Sequence, residues 1–492
     1  MIGRIARKLA LAVGVALVLL AGVVSARTAL YRPADRQVER APVVAVPAGA
    51  AERLAGAVRI QTVSYADRGH TDVGALRRLH AYLEAAFPLV HATLRRELVN
   101  EHSLLFTWPG TDPSLNPILL MGHLDVVPVE PGTEEQWQQP PFSGAVADGF
   151  VWGRGSIDNK SAVVGTLEAV EMLLAEGFRP VRTIYFAYGH DEETGGAQGA
   201  RKIAELLKSR GVRLDMVLDE GGVIGDGLLP GISSPVAFVG VAEKGFATVE
   251  LSVEGAGGHS SLPPRHSTVG ILSAAIARLE ANQMPARIEG TTRQLFDAVG
   301  PRFPLAQRAI FANLWLTAPL VQRRLESSPS TNAMVRTTTA ATVFQAGSKD
   351  NVLPRSARAS INFRVLPGDS VAGVLDHVRR VVDDDRVEAR IAGAFQSEPS
   401  AMSSRDSQSF RNLEATIHSL SPDVVVAPYL VVVVTDARYF AEISSHVFRF
   451  LPLRLTSDDL ERMHGIDERI SIDQYENAIR LYRQLLLNGA AH

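Results

Sequence analysis

The sequence predicts an α/β protein of two domains, a larger one and a smaller α+β unit inserted into it. Three observations carry this. Apolar runs at 118–121, 183–187 and 214–218 stop abruptly at glycine or acidic residues, with helical segments at 161–176 and 197–210 between them. After Gly240 strands and helices alternate at a new spacing, and the first pattern resumes after Ser397. A chain of 492 residues also exceeds one ordinary hydrophobic core.

Composition sets the outer limits. Hydrophobic residues make up 46%, charged residues 21%, and the formal net charge is −3, as for a soluble globular body. Nothing basic is in excess, so no nucleic-acid partner is expected. The absence of cysteine excludes disulfides, thiolate ligands and thiol nucleophiles. At the N-terminus a short positive segment, 1–8, precedes eighteen uncharged residues, 9–26. Residues 1–30 therefore read as an export signal cleaved after Ala26 or as an uncleaved membrane anchor. In the first case the body is secreted or periplasmic; in the second it is anchored with the body outside the cytoplasm.

Residues 31–54, rich in Pro, Val and Ala, read as a linker. The larger domain then takes 55–242 and 395–492, and the insert takes 243–394. In order, the spacing predicts a strand at 57–63 and a helix at 72–84, the latter on Leu76, Leu79 and Leu83. A strand at 98–109, the strand 118–121 and a polar excursion over 128–148 follow. The helices 161–176 and 197–210 stop at Gly177 and Gly211, residues suited to a left-handed cap. Within the insert, strands are expected at 246–253, 360–366 and 387–391, and helices at 267–281 and 370–382. Residues 291–330 read as helical and apolar. A strand at 424–427 and a helix at 472–488 close the chain.

The candidate site lies where the apolar runs end, since ligands of open α/β sheets bind at the carboxyl ends of strands. His123 and Asp125 close the run 118–121 and, two apart, point the same way, so the carboxylate can approach the imidazole from behind. Asp158 follows Gly153-Arg154-Gly155-Ser156-Ile157 at a helix start. Glu192 and Glu193 close a second run, and Asp219 with Glu220 close a third. Carboxylates and imidazole converging on one sheet edge form a plausible divalent-metal constellation. Taken singly, each is as well explained as a turn or cap residue.

Together with Met463-His464-Gly465, these motifs resemble the M20 family of metallopeptidases and aminoacylases, nearest its carboxypeptidase S and N-fatty-acyl-amino-acid synthase/hydrolase branch. The resemblance runs from about residue 55 to the C-terminus. It implies a mixed-sheet zinc-hydrolase domain with an inserted lid or dimerisation domain, and two zinc ions per subunit. It assigns His123 and Asp219 to one ion and Glu193 and His464 to the other, with Asp158 bridging; Glu220 competes with Asp219. Imidazole on each side suits zinc, and two such ions can hold a shared hydroxide. Glu192 is the implied general base, and Asp125 orients His123. From the insert, His259 would steady the oxyanion, while Asn351 and Arg364 would grip a substrate carboxylate. Thr435 and Arg438 match a substrate-binding loop, although Val434 and Ala437 depart from its glycine and serine.

The implied reaction is hydrolysis of the amide of an N-acyl amino acid or small peptide with a free carboxylate. A dipeptidase or carboxypeptidase S-like exopeptidase is the alternative within the class, and a non-catalytic binding module lies outside it. A homodimer through the insert is also implied. The apolar segment 303–325 could line an acyl pocket or simply form core.

Overall fold

The computed structural model describes residues 2–33, 39–65, 67 and 71–490. Its centre is a 10-stranded mixed sheet. Strands Ile184–Gly189, Ile118–His123, Met216–Asp219 and Val447–Arg449 lie side by side and run parallel. The antiparallel hairpin of Arg95–Val99 and Ser103–Trp108 extends one side. On the other side Val236–Glu243 meets Val447–Arg449 antiparallel and pairs parallel with Val425–Val431. Every residue of Ile118–His123 and Ile184–Gly189 is buried, which is why both read as continuous apolar runs. Helices Lys160–Ala175 and Ile472–Ala490 cover one face, and Ile203 and Leu207 of Ala200–Ser209 pack on the other.

Two expected strands differ. Residues 57–63 are not a strand: helix Ala50–Val58 takes over part of the expected linker, and Val63 makes only an isolated bridge to Val126. The reason is tertiary. Leu54, Ala55 and Val58 are buried on the main core, and Arg53 pairs with the buried Glu168. The expected strand 98–109 is a hairpin instead, turning at Asn100 and Glu101, both with positive φ. Residues 34–38 of the expected linker lie outside the described residues.

The insert has two parts. Strands Thr338–Ala346, Ser356–Val365, Gly245–Glu254 and Glu388–Ser397 form an antiparallel sheet. Alternate residues of Gly245–Glu254 are buried, as expected where helices cover one face only. Those helices, Thr268–Ala281 and Val371–Val382, start at Ser267 and Ser370, whose hydroxyls accept from the N–H of Gly270 and Gly373. Leu251, Leu272, Phe363 and Val378 make a core separate from the main one. Residues 290–335, by contrast, form helices Gly290–Val299, Leu305–Ala312, Leu314–Glu326 and Pro329–Val335 that pack on the large sheet. Leu295 and Phe296 meet Phe238, Val425 and Ala427 there.

Helix Ile2–Leu30 opens the chain and meets the body at its last turns, against Ala312 and Asn313. Its residues 4–30 are long and apolar enough to cross a membrane, a property shared by anchors and cleavable signals.

Candidate metal centre

The parallel strands deliver their C-terminal ends to one edge, and the loops that leave them carry the site. His123 is the last residue of its strand and is buried. Glu192 and Glu193 open a short 3-10 turn after Ile184–Gly189. The turn closes through Gly195 and Gly196, both with positive φ; a Cβ on Gly196 would stand 1.8 Å from Asp436 Oδ1. Glu220 follows Met216–Asp219.

The remaining two groups come from a three-stranded sheet that joins distant parts of the chain. Phe150–Trp152 pairs antiparallel with Arg469–Ser471, placing the loop that leads to Asp158 beside the one that leads from His464. Buried Glu468 locks the two loops. Its Oε2 accepts from Arg154 Nη1 (2.6 Å), and its Oε1 accepts from the N–H of Gly155 (3.0 Å), Ile157 (2.9 Å) and Asp158 (3.2 Å). His464 has a φ of 60°, the left-handed conformation that usually favours glycine after a helix end.

Two donor groups result, sharing Asp158: His123, Asp158 and Glu220, and Asp158, Glu193 and His464. Asp158 Oδ1 lies 3.0 Å from His123 Nε2, and Oδ2 lies 3.1 Å from His464 Nε2. Glu220 Oε1 is 3.4 Å from His123 Nε2, and Glu193 Oε2 is 3.3 Å from His464 Nε2. Zinc with bonds of about 2.0–2.1 Å in a tetrahedral shell separates neighbouring donors by roughly 3.3 Å. The oxygen and nitrogen donors, their spacing and the shared carboxylate therefore fit two zinc ions. Glu193 Oε1 is buried without a hydrogen-bond partner among the described residues, which suits a carboxylate that binds a cation.

The electrostatics agree. Burial pushes the carboxyls of Glu192 and Glu193 up, Glu192 well above the usual range, with Glu220 adding to it. Burial and Asp158 push Glu220 up to about 7. Burial opposes charge on His123, yet Glu220, Asp125 and Asp158 hold its pKa well above normal. Hydrogen bonds to Asp158 and Glu193 raise His464 to about 10. So many acids in one buried place need positive charge, which protons supply here and divalent cations supply better.

Two of the expected residues, Asp219 and Asp125, are placed as follows. Glu220, not Asp219, stands against His123; the Asp219 carboxylate accepts instead from the N–H of Ala437 (2.7 Å). Successive side chains at a strand end point to opposite sides, so only one of the pair can face the imidazole. Asp125 orients His123 chiefly through its main chain, whose O lies 3.0 Å from Nδ1, against 3.5 Å for Oδ1. Its carboxylate accepts from Ser64 Oγ (2.6 Å) and from the N–H of Glu192 (3.1 Å) and Glu193 (3.2 Å). Asp125 thus positions the adjacent glutamates.

Beside the donors opens a cleft of about 610 Å³. Asp158, Glu192, Glu193, Glu220 and His464 line its floor, and Leu228, Leu229, Phe238, Leu295, Met334 and Tyr429 its walls. Among the described residues none from 303–325 lines it; that segment packs behind Leu295 and Phe296. Thr435 lines the cleft with its hydroxyl donated to Glu243 (2.8 Å). Arg438 gives its guanidinium to the main-chain carbonyls of Thr435 and Gly195 (2.7 Å to the latter), so it braces the turn after Glu193.

The other insert residues stand apart from the donors. His259 is exposed, pairs with Val352 across a two-stranded ribbon and bonds Ser261 Oγ through Nδ1 (2.7 Å). Asn351 adjoins it, its carbonyl accepting from Ser260 N–H (3.1 Å). Arg364 stacks over Phe246 at 4.9 Å on the insert sheet. None of the three is among the described residues lining the cleft. Glu468 and Ser64 carried no motif in the sequence; their signal is spatial only.

Comparison with known proteins bears on the same centre. The profile of peptidase family M20/M25/M40 matches residues 119–488. The chain is 44% identical over 443 residues to probable carboxypeptidase S-like 2 of Dictyostelium discoideum, covering 89% of this chain and 84% of that protein. It is 40% identical over 442 residues to the N-fatty-acyl-amino acid synthase/hydrolase of Homo sapiens, covering 89% and 87%. Among solved structures, an M20 family metallo-carboxypeptidase from Sulfolobus solfataricus aligns with a TM-score of 0.64 at 18% identity, covering 89% of this chain and 98% of that one. Human carnosine dipeptidase 1 gives 0.61 at 19% identity, covering 90% and 96%. Both share the two-domain fold.

Proposed function

The chain belongs to the M20/M25/M40 peptidase family and is a zinc-dependent hydrolase, and on that premise we propose that it cleaves N-acyl amino acids bearing a free carboxylate. The observation that carries this reading is the cleft beside the donors, which is walled by apolar side chains and wide enough for an acyl chain. The similarity to an N-fatty-acyl-amino acid synthase/hydrolase supports it.

In this reading His123, Asp158 and Glu220 hold one zinc and Asp158, Glu193 and His464 the other. When bound, zinc supplies a Lewis acid for the amide carbonyl and lowers the pKa of water. Glu192 belongs to neither donor group yet lines the cleft floor. We assign it as the base that takes a proton from the attacking water and returns it to the leaving amine nitrogen. Asp125 and Arg438 are positioning residues that hold the turn carrying Glu192. His259, Asn351 and Arg364 approach the substrate's carbonyl and carboxylate from the insert, His259 of one subunit serving the site of a second copy. The exposed edge strand Thr338–Ala346 offers a surface for that dimer.

The test is a substrate series. Lengthening the acyl chain should raise kcat/KM by up to ~4-fold per methylene, the worth of about 0.8 kcal/mol per buried CH2, until the cleft is filled. Dipeptides should be poor substrates. Faster turnover of dipeptides, with no gain along the acyl series, would replace this reading by an exopeptidase.

A further inference from the structure

The last turns of the N-terminal helix rest on the body. Asn313 Nδ2 donates to Thr28 Oγ1 (3.3 Å) and to the Val24 carbonyl (3.4 Å), and Arg27 Nε donates to the Ala312 carbonyl (3.2 Å). One turn on, Tyr31 Oη donates to the Phe296 carbonyl (2.7 Å). The uncharged run 9–26 therefore ends inside this contact. At 1.5 Å per residue it covers about 27 Å, close to the thickness of a bilayer's hydrocarbon core. If this run spans a membrane, Asn313 sits at the level of the lipid headgroups.

The next helix carries an independent sign. In Leu314–Glu326 the buried positions include Leu314 and Val321, whereas Trp315, Leu316 and Leu320 are 55%, 47% and 64% exposed. Exposed positions recur at 315, 316, 319, 320, 323 and 324, one face of the helix. That face is apolar at its N-terminal end, next to Asn313, and ends in Arg323 and Arg324. Single exposed leucines are ordinary, but a tryptophan and two leucines on one face, followed by two arginines, match an interfacial helix. In a helix of that kind the apolar side chains face the acyl boundary and the guanidinium groups face lipid phosphates.

We propose that helix Leu314–Glu326 is a second membrane contact, lying in the headgroup region of an anionic bilayer beside the N-terminal anchor. The anchor fixes its depth and the helix fixes the tilt of the body. This goes beyond the hydrolysis proposed above and does not depend on it.

The experiment uses the full chain in proteoliposomes of phosphatidylcholine and phosphatidylglycerol, with and without brominated acyl chains. Trp108, Trp137 and Trp152 are only 3%, 7% and 3% exposed, so quenching by bromolipid reports Trp315. The Trp315 emission should be lost to bromolipid and protected from aqueous iodide, and Trp315→Phe should abolish the quenchable component. Leu316→Ser with Leu320→Ser should reverse both effects while the protein stays membrane-bound and turns over a short, water-soluble substrate as before. Iodide-accessible, bromolipid-insensitive Trp315 in the unsubstituted protein would overturn the proposal. So would Trp315 shielded from both quenchers in a cross-linkable dimer, which would give this face to a second copy.

Discussion

At the scale of single residues, the adjacent glutamates divide the labour of the site. Glu193 faces His464 and Asp158, while Glu192 lies on the cleft floor outside both donor groups. Glu192→Gln should keep both zinc ions yet lower kcat by at least ~10²-fold, the usual scale for a lost general base. Glu193→Gln and Glu220→Gln should each lose metal along with activity, whereas Asp219→Asn should keep two ions. Zinc content measured beside kcat in the four variants decides these roles, and full occupancy in Glu220→Gln would return the ligand to Asp219. A pH dependence follows from the same geometry. Burial and Asp158 push the Glu220 carboxyl up to about 7, and Asp158 and Glu193 raise His464 to about 10, whereas zinc needs both bare. Between these values His464, and His123 with it, must release a proton on binding, so zinc affinity rises with pH, about tenfold per unit for each proton released. The slope steepens below pH 7, where Glu220 is protonated as well. Competition titrations with a chelator at several pH values check the sign; affinity falling with pH across this window would contradict it.

At the scale of elements, the site depends on how loops are tied together. Glu468 touches neither the cleft nor a donor side chain, yet it accepts from three successive parts of the loop that presents Asp158. It also neutralises the buried Arg154, which has no other acid partner among the described residues. Glu468→Ala should cost about 3–5 kcal/mol, the penalty of leaving a buried charge unpaired. Urea denaturation measures that loss, and zinc analysis of the surviving folded protein should show both ions weakened, because Asp158 is shared. Unchanged stability would mean that water replaces the clamp. Much of the local structure was legible in the sequence. Helix Lys160–Ala175 and strand Ile118–His123 follow from apolar runs with glycine or acidic stops. Helix Ala50–Val58 was hidden, because its alanines sit next to a Pro- and Val-rich stretch that resembles a linker. Only packing on the core, and the pairing of Arg53 with Glu168, distinguishes it.

At the scale of the molecule, assembly turns on the insert. Its sheet unit carries His259, Asn351 and Arg364, while its helical run packs on the main sheet and supplies Leu295 and Met334 to the cleft. If His259 serves the site of a second copy, mixing inactive His259→Ala and Glu192→Gln chains should restore activity. Random C2 pairing makes half the dimers mixed, each with one complete site, so about a quarter of the original rate should return. Mixtures as inactive as their components would place His259 in its own chain's site.

The sequence by itself determined the family, the two-domain architecture and the glycine- and acid-rich ends at which the site is built. Those properties are local: a strand's apolar run and the residue that stops it are neighbours in the chain. Only the tertiary structure decided that Glu220 rather than Asp219 faces His123, that Asp125 braces the Glu192 turn, and that Glu468 clamps the Asp158 loop. It also decided that the cleft takes its walls from the flanks of the helical run and not from 303–325. Each of these depends on the direction of a side chain at a strand end or on contacts between residues hundreds of positions apart. Neither is recorded in the order of residues along the chain, because packing selects one of two adjacent carboxylates and one of many buried partners only after the sheet has formed.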